Sequence, residues 1–308
     1  MFLVFTSGRN FAIIIKTVAE KNMKVLKGLL ITLLVIVFLA GAAIAGAYFY
    51  VKNTYDIDVF KTISQLKTLG SKVDEAELCP NAFSETDMQG VENEINASVE
   101  GFISYTEENG YKVNFDDLPP EMKTVIKLTD KQVGAIADTV VRQEMNGEVE
   151  IAGKKVPVKL LQVAFGNIDE SGNTDFNVVA RLDLKPLIEG IDEGARRFIG
   201  KYIPEFLYVS STVRVTRGTG FEFTVAHKSL TLNNLSAKDT EEFVGTLDKI
   251  MGLGSAQSLN ETIGKTVVSA LIGSETQKGL AYSLKNIGAK GYTFTAGSDG
   301  VNYYEVLR

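Results

Sequence analysis

Apolar residues recur along this chain with two periods, and the switch between them predicts its elements. Val133, Ile136, Ala137, Val140, Val141 and Met145 form one stripe at a spacing of three to four. Thr129 and Gln132 stand before it as a capping-box pair, so a helix is predicted over Asp130–Met145. Val59, Phe60, Ile63, Leu66 and Leu69 predict a shorter helix over Asp58–Leu69, with Gly70 as its stop. Ser71–Asn81 is polar and irregular and reads as a linker. Ser84–Tyr105 carries Val91, Ile95, Val99 and Phe102 at helical spacing, interrupted by Gly90 and Gly101.

After Met145 the period changes to two. Val158–Phe165 and Thr174–Leu184 read as strands around the polar turn "GNIDESGNT", and Leu187–Ile199 as another helix. Phe206–Thr216 places Leu207, Val209, Val213 and Val215 on one face, and after "RGTG" the stretch Phe221–Leu232 does the same with Phe221, Phe223, Val225 and His227. Each of these strands is about 40 Å long at ~3.3 Å per residue, twice the usual length. Ser236 with Asp239 opens a helix ending near Gly252; Ser255–Arg308 reads as two helices and a hairpin over Tyr292–Val306 around "AGSDG". Helices before, between and after hairpins imply an α+β fold, a mostly antiparallel sheet of long curved strands packed on helices.

The amino terminus adds an expected transmembrane helix ahead of that domain. Leu29–Val51 is free of charge, preceded by Lys24 and Lys27 and closed by Lys52, and at ~1.5 Å per residue it spans a ~30 Å hydrocarbon core. Ala43, Ile44 and Ala45 also form the A-x-A triplet of a cleaved signal. Retention is favoured because the run continues through Tyr48, Phe49 and Tyr50, where an interfacial aromatic belt would lie. Gly41 with Ala45, and Ala42 with Gly46, form small-x-x-x-small pairs, an ordinary feature of membrane spans. Residues 1–28 then form a cytoplasmic amino terminus, with Met23 of "MKVLKG" as the candidate true start. Residues 52–81 are juxtamembrane, 82–252 form the extracytoplasmic domain, and 253–308 pack on it.

Charge fits this division. From Asn53 onward 26 Lys and Arg face 37 Asp and Glu, a net charge of about −11, which repels phosphate backbones and excludes nucleic acid as a natural partner. Positive charge before the span predicts the amino terminus inside and the domain outside a bacterial cytoplasmic membrane. Cys79 is the single cysteine, so there is no internal disulfide and no thiolate metal cage.

Chemistry-bearing motifs are sparse. His227 is the only histidine, which excludes a two-histidine metal site and leaves it the sole candidate for a His-based triad; its strand neighbours are apolar, so a packed histidine is expected. "IGKT" at Ile263–Thr266 resembles the end of a phosphate loop, but the first glycine of that motif falls on Leu259. Asp116 with Asp117, and Asp74 with Glu75 and Glu77, are acid groups that a sugar-cleaving envelope hydrolase could use; as loop residues they read as solvated surface. No metal or cofactor is expected.

From Leu128 to Ser236 the order of parts resembles the YpmS-type family of small Gram-positive membrane-anchored proteins. The resemblance rests on "LTDKQVGAIADTVV", "VKLLQVAFGNIDESGNTDFNVVARLDL", "KYIPEFLYV" and "LTLNNLS"; residues 53–127 and the tail after Met251 depart from it. It implies a non-enzymatic, membrane-anchored module, and long strands wrapped on helices suggest a tubular lipid-binding fold. The leading expectation is a groove for a lipid or lipid-linked envelope molecule. Its walls would be Leu207, Val209, Val213, Val215, Phe221, Phe223 and Val225, faced by Val133, Ile136, Val140 and Val141, unless these simply close into a core. The alternative is a scaffold that docks another envelope protein through the sheet edge or the carboxy-terminal hairpin. Mass spectrometry of the membrane-extracted chain is expected to find peptides from before Gly46; a mature protein beginning at Gly46 would overturn the retained anchor.

Overall fold

The computed structural model describes residues 58–151, 154–189, 203–251 and 254–308. The span expected over 29–51, most of the helix expected over Leu187–Ile199, and Gly252 lie outside them. Asp58 caps the first helix, α1 (Val59–Leu69), its side chain accepting from the Lys61 amide at 3.0 Å, and Gly70 follows the last turn. The stretch read as a linker is structured. Asp74 caps a single turn, α2 (Glu75–Leu78), and Val73, Leu78 and Cys79 cover Leu161, Val179 and Tyr208 of the main sheet. Those few apolar residues suffice to hold a polar segment down, a tertiary effect that composition does not reveal.

Ser84 and Asp87 exchange both capping bonds at the start of α3 (Glu85–Ser98), an aspartate serving where the usual box has Glu or Gln. The helical spacing through Tyr105 concealed a hairpin, β1 (Ile103–Thr106) and β2 (Gly110–Val113), which turns at Gly110 with φ +66°. Then come β3 (Ile126–Thr129) and α4 (Asp130–Met145), whose predicted Thr129–Gln132 box makes both of its bonds.

The main sheet contains β4 (Glu148–Ile151), β5 (Lys154–Gly166), β6 (Thr174–Asp183), β7 (Phe206–Arg217) and β8 (Phe223–Leu232), in that spatial order and antiparallel throughout. The short helix α5 (Lys185–Glu189) follows β6. Beyond β8 lie α6 (Ala237–Met251), α7 (Ala256–Leu271), α8 (Leu280–Ser283) and the hairpin β9 (Gly291–Ala296) and β10 (Asn302–Leu307). The chain is therefore α+β with antiparallel sheets packed on helices, and among the described residues no helix is long and apolar enough to cross a membrane.

The carboxy-terminal hairpin does more than pack. β10 pairs with β3 as well as β9, so a second, three-stranded sheet joins residues on either side of the whole main sheet. Phe165, Phe176, Phe294, Tyr292 and Tyr304 meet there with ring centroids 5.4 to 6.1 Å apart. The buried Tyr304 hydroxyl donates to the Leu271 carbonyl at 2.8 Å, satisfying an orphan acceptor at the end of α7.

The inner face of the main sheet is covered by α4 over β5, α7 over β7 and β8, and α6 over β8. Ala256 and Leu259 of α7 belong to the core cluster at one end of the sheet, with α1, α6 and Leu207; Val267, Val268 and Leu271 belong to the larger cluster with α3, α4 and the aromatic group. Between them Gly264 sits so close to β7 that a Cβ there would lie 2.7 Å from both methyls of Val213. In helical peptides Gly→Ala gains about 1 kcal/mol. Here Gly264→Ala is expected to destabilise by about 1–3 kcal/mol through overpacking, read as a lowered denaturant midpoint at unchanged slope.

Candidate functional site

The residues expected to wall a groove lie on the sheet's inner face or on α4, except Phe221, which stands in the turn before β8 and packs on Tyr282, and they do not bound an open space. Leu207, Val209, Val213 and Val215 are 0–2% exposed, as are Val133, Ile136 and Val140. Phe221, Phe223, Val225 and Val141 are half-buried against the same packing. The two walls are laterally displaced, α4 over β5 and the long hairpin under α7. The stripe of α7 fills the space that the sequence reading left between them. Leu207 and Val209 join a different core cluster from Val213 and Val215, so the row is divided between two interiors.

His227 lies on the inner face of β8, the edge strand, opposite Val213. A bulge between Thr212 and Val213 lets the side chain of Asn260, on α7, donate to the Thr212 carbonyl at 2.8 Å. The same Nδ2 lies 2.8 Å from His227 Nδ1. A carbonyl can only accept, so the amide is fixed with its nitrogen here and Nδ1 must accept as well. Nε2 therefore carries the ring proton. This is the reverse of a catalytic histidine, whose Nδ1 donates to its orienting group and whose Nε2 accepts from the nucleophile. Ser211, a serine on the same inner row, pairs with Leu230 and is fully buried.

Beside His227 a cleft of about 160 Å³ is lined by Lys228, Ser229, Leu230, Ala237, Lys238, Glu241 and Ala256. At ~30 Å³ per water it has room for about five waters, well under the ~300 Å³ at which ligand pockets begin. The strand edge is closed nearby: the His227 amide donates to Glu261 at 3.3 Å and the Leu232 amide to Thr240 at 3.2 Å. These side chains, with the bulge at Lys228, blunt an edge that could otherwise add a foreign strand.

The outer face of the sheet is a network of paired charges. Glu75 of α2 accepts from Arg181 at 3.0 Å and from the Tyr208 hydroxyl at 2.9 Å. Beneath it Cys79 is buried, which pushes its thiol up to about 11 and leaves it protonated and unreactive. Further along, Asp175 accepts from Lys228 at 2.7 Å and from Arg214 at 3.3 Å, and Arg214 also pairs with Asp169 of the β5–β6 turn. The acids considered for sugar cleavage are dispersed among structural roles: Asp74 caps α2, Asp116 pairs with Lys278 at 3.0 Å, and Asp117 and Glu77 are exposed. "IGKT" lies inside α7, with Lys265 exposed and Thr266 bonded back to Thr262, so no loop cradles a phosphate. Among the described residues no group of His, Cys, Asp or Glu could hold a metal ion.

The hairpin β1–β2, which the helical spacing hid, carries one of three exposed large hydrophobic side chains among the described residues, the others being Phe60 and Val125. Its base is closed on both edges by amides: Asn96 exchanges bonds of 2.8 and 2.9 Å with Ile103, and Gln143 exchanges bonds of 3.0 and 3.1 Å with Val113. Tyr105 stands beyond that base, 48% exposed. Asn96 and Gln143 gave a sequence signal only in retrospect, as amides on otherwise apolar helix faces. Comparison with protein-family models, with curated proteins and with solved structures gives no match.

Asp138 is the most deeply placed acid of α4, 3% exposed, accepting from the Leu160 amide at 3.0 Å and from Arg142 at 2.7 Å. Burial outweighs both partners and raises its carboxyl above the usual carboxylate range. A raised folded value means stability from this group is full below the unfolded pKa and is lost as pH rises through the folded one. Asp138→Asn keeps the bond to Leu160, so its stability relative to the parent is expected to improve as pH rises from 3 to 7 in urea titrations, and an unchanged or falling difference would contradict the raised carboxyl.

Proposed function

We propose that this chain is a non-enzymatic, membrane-anchored extracytoplasmic module that works by docking another protein of the cell envelope on its surface. The observation that carries the reading is that the interior is occupied while the hairpin Ile103–Val113 continues its apolar face out into solvent. A groove for lipid would need α7 to lift from β7, against the close approach at Gly264 and the Asn260 bonds to Thr212 and His227. The orientation of the His227 imidazole and the dispersal of the acids support the absence of catalysis.

The anchor is residues 29–51, in a single pass with the amino terminus inside. Six residues separate Val51 from Asp58, a Cα–Cα reach of about 25 Å when fully extended, so α1 stays beside the bilayer. There α1 is fixed to α6 by Lys61 on Glu242 at 2.6 Å and by Gln65 on the Asp239 carbonyl at 3.2 Å. The resemblance of Leu128–Ser236 to the YpmS-type family agrees with such a location.

The test is the full chain in native membranes, with a photocrosslinking residue placed in turn at Tyr105, Thr224 and Lys238. The chain is expected to resist alkaline carbonate extraction and to give a discrete protein adduct from at least one position. Release by carbonate would overturn the anchor. Lipid retained stoichiometrically in native mass spectra after delipidation, with no protein adduct at any position, would replace docking by the lipid reading.

A further inference from the structure

The row that β1 and β2 turn toward the core does not end where the core ends. Ile103 and Val113 are directly opposite each other and 2% and 1% exposed. The next pair outward on that face is Tyr105 and Tyr111, with ring centroids 4.8 Å apart. Tyr111 is half-buried against the core and Tyr105 is exposed, so one ring of the pair still faces solvent in a hairpin whose base is already tied by two amides.

Charge around the pair has one sign. Glu107 and Glu108 occupy the turn, and the Tyr111 phenol is raised above its usual value by burial first and then by the charges of Glu92 and Glu85 on α3. None of the four makes an ion pair among the described residues. Lys112, one position along from Tyr111, points to the opposite face of the hairpin by the alternation of a strand. Four uncompensated carboxylates repel an anionic bilayer surface, and they repel the same face of a second copy. They attract a cation, and an exposed phenol ring beside a half-buried one favours the cation that is also planar.

We infer that the Tyr105–Tyr111 face docks an arginine-bearing segment of the partner protein, with a guanidinium on the rings and neighbouring basic residues on Glu85, Glu92, Glu107 and Glu108. This rests on the docking reading above and gives the partner its chemistry. Arginine is preferred to lysine because its delocalised plane stacks on an aromatic face while its edge still donates to carboxylates; an ammonium does the second only.

Octa-arginine and octa-lysine peptides, titrated by calorimetry against the full chain in zwitterionic micelles at about 50 mM salt and again at about 0.3 M, test the inference. Octa-arginine is expected to bind about three- to tenfold tighter than octa-lysine. Tyr105→Ala, at an exposed position that leaves folding intact, should weaken octa-arginine about fivefold and remove the preference over lysine. Glu107→Gln with Glu108→Gln should weaken both peptides and flatten the salt dependence. Equal binding of the two peptides that Tyr105→Ala leaves unchanged would reduce the effect to diffuse acidity and overturn the inference, as would absence of binding at low salt or binding to anionic vesicles through Tyr105. A protein adduct from Thr224 or Lys238 with no peptide binding here would defeat this inference and leave docking standing; no adduct anywhere would defeat both.

Discussion

The contact on which the rest of the structure depends is between Gly264 of α7 and Val213 of β7. A helix packed on a sheet ordinarily holds its backbone off by the depth of two side chains, and here one of the two is missing. Four residues earlier, on the same face, Asn260 reaches the carbonyl that the Thr212–Val213 bulge leaves free. One residue permits the close approach and the other fixes its register. Because α7 contributes Ala256 and Leu259 to one core cluster and Val267, Val268 and Leu271 to the other, this line of contact holds two interiors together.

Closure of the far end follows from it. The carbonyl of Leu271, in the last turn of α7, is taken by the Tyr304 hydroxyl, and Tyr304 stands opposite Leu128 of β3 and Phe294 of β9. Asn302 donates to the Phe165 carbonyl at 2.7 Å, tying the same strand to the end of β5. The last six residues of β structure thus tie together α7, β3 and the main sheet. The pairing of β10 with β9 is local, but its contacts with β3, α7 and β5 are remote in sequence, which makes that part of the closure slow to form.

Elements with strong local signals were legible in the sequence. The Thr129–Gln132 box, the α4 stripe and the alternation of β7 and β8 all lie where the pattern placed them, because a cap and an apolar face are local properties. What the sequence hid was decided at a distance. The turn at Glu75–Leu78 is held by Arg181 and Tyr208, over a hundred residues on, and β3 exists as a strand because β10 pairs with it. The β1–β2 hairpin was masked by Val99 and Phe102, buried residues in the connection after α3 whose spacing continues its helical stripe. For the candidate site the row Leu207–Val215 was identified correctly as one face, but the period of a strand says only that a face is apolar. Whether that face meets a ligand or another helix depends on where α7 folds back, and α7 reads locally as an ordinary amphipathic helix.

His227 shows how far a single residue's chemistry can be carried from geometry. As the only histidine it was the one residue a His-based triad could use, although its apolar strand neighbours already pointed to a packed histidine. The Asn260 amide, constrained by a backbone carbonyl that can only accept, dictates which ring nitrogen bears hydrogen, and that assignment removes the lone pair a general base would use. The histidine instead pins an edge strand to α7, Glu261 takes its amide, and Thr240 of α6 takes the Leu232 amide further along. The edge is closed by the two helices that also pack the inner face, so the apolar row on β7 meets helices rather than an open groove among the described residues.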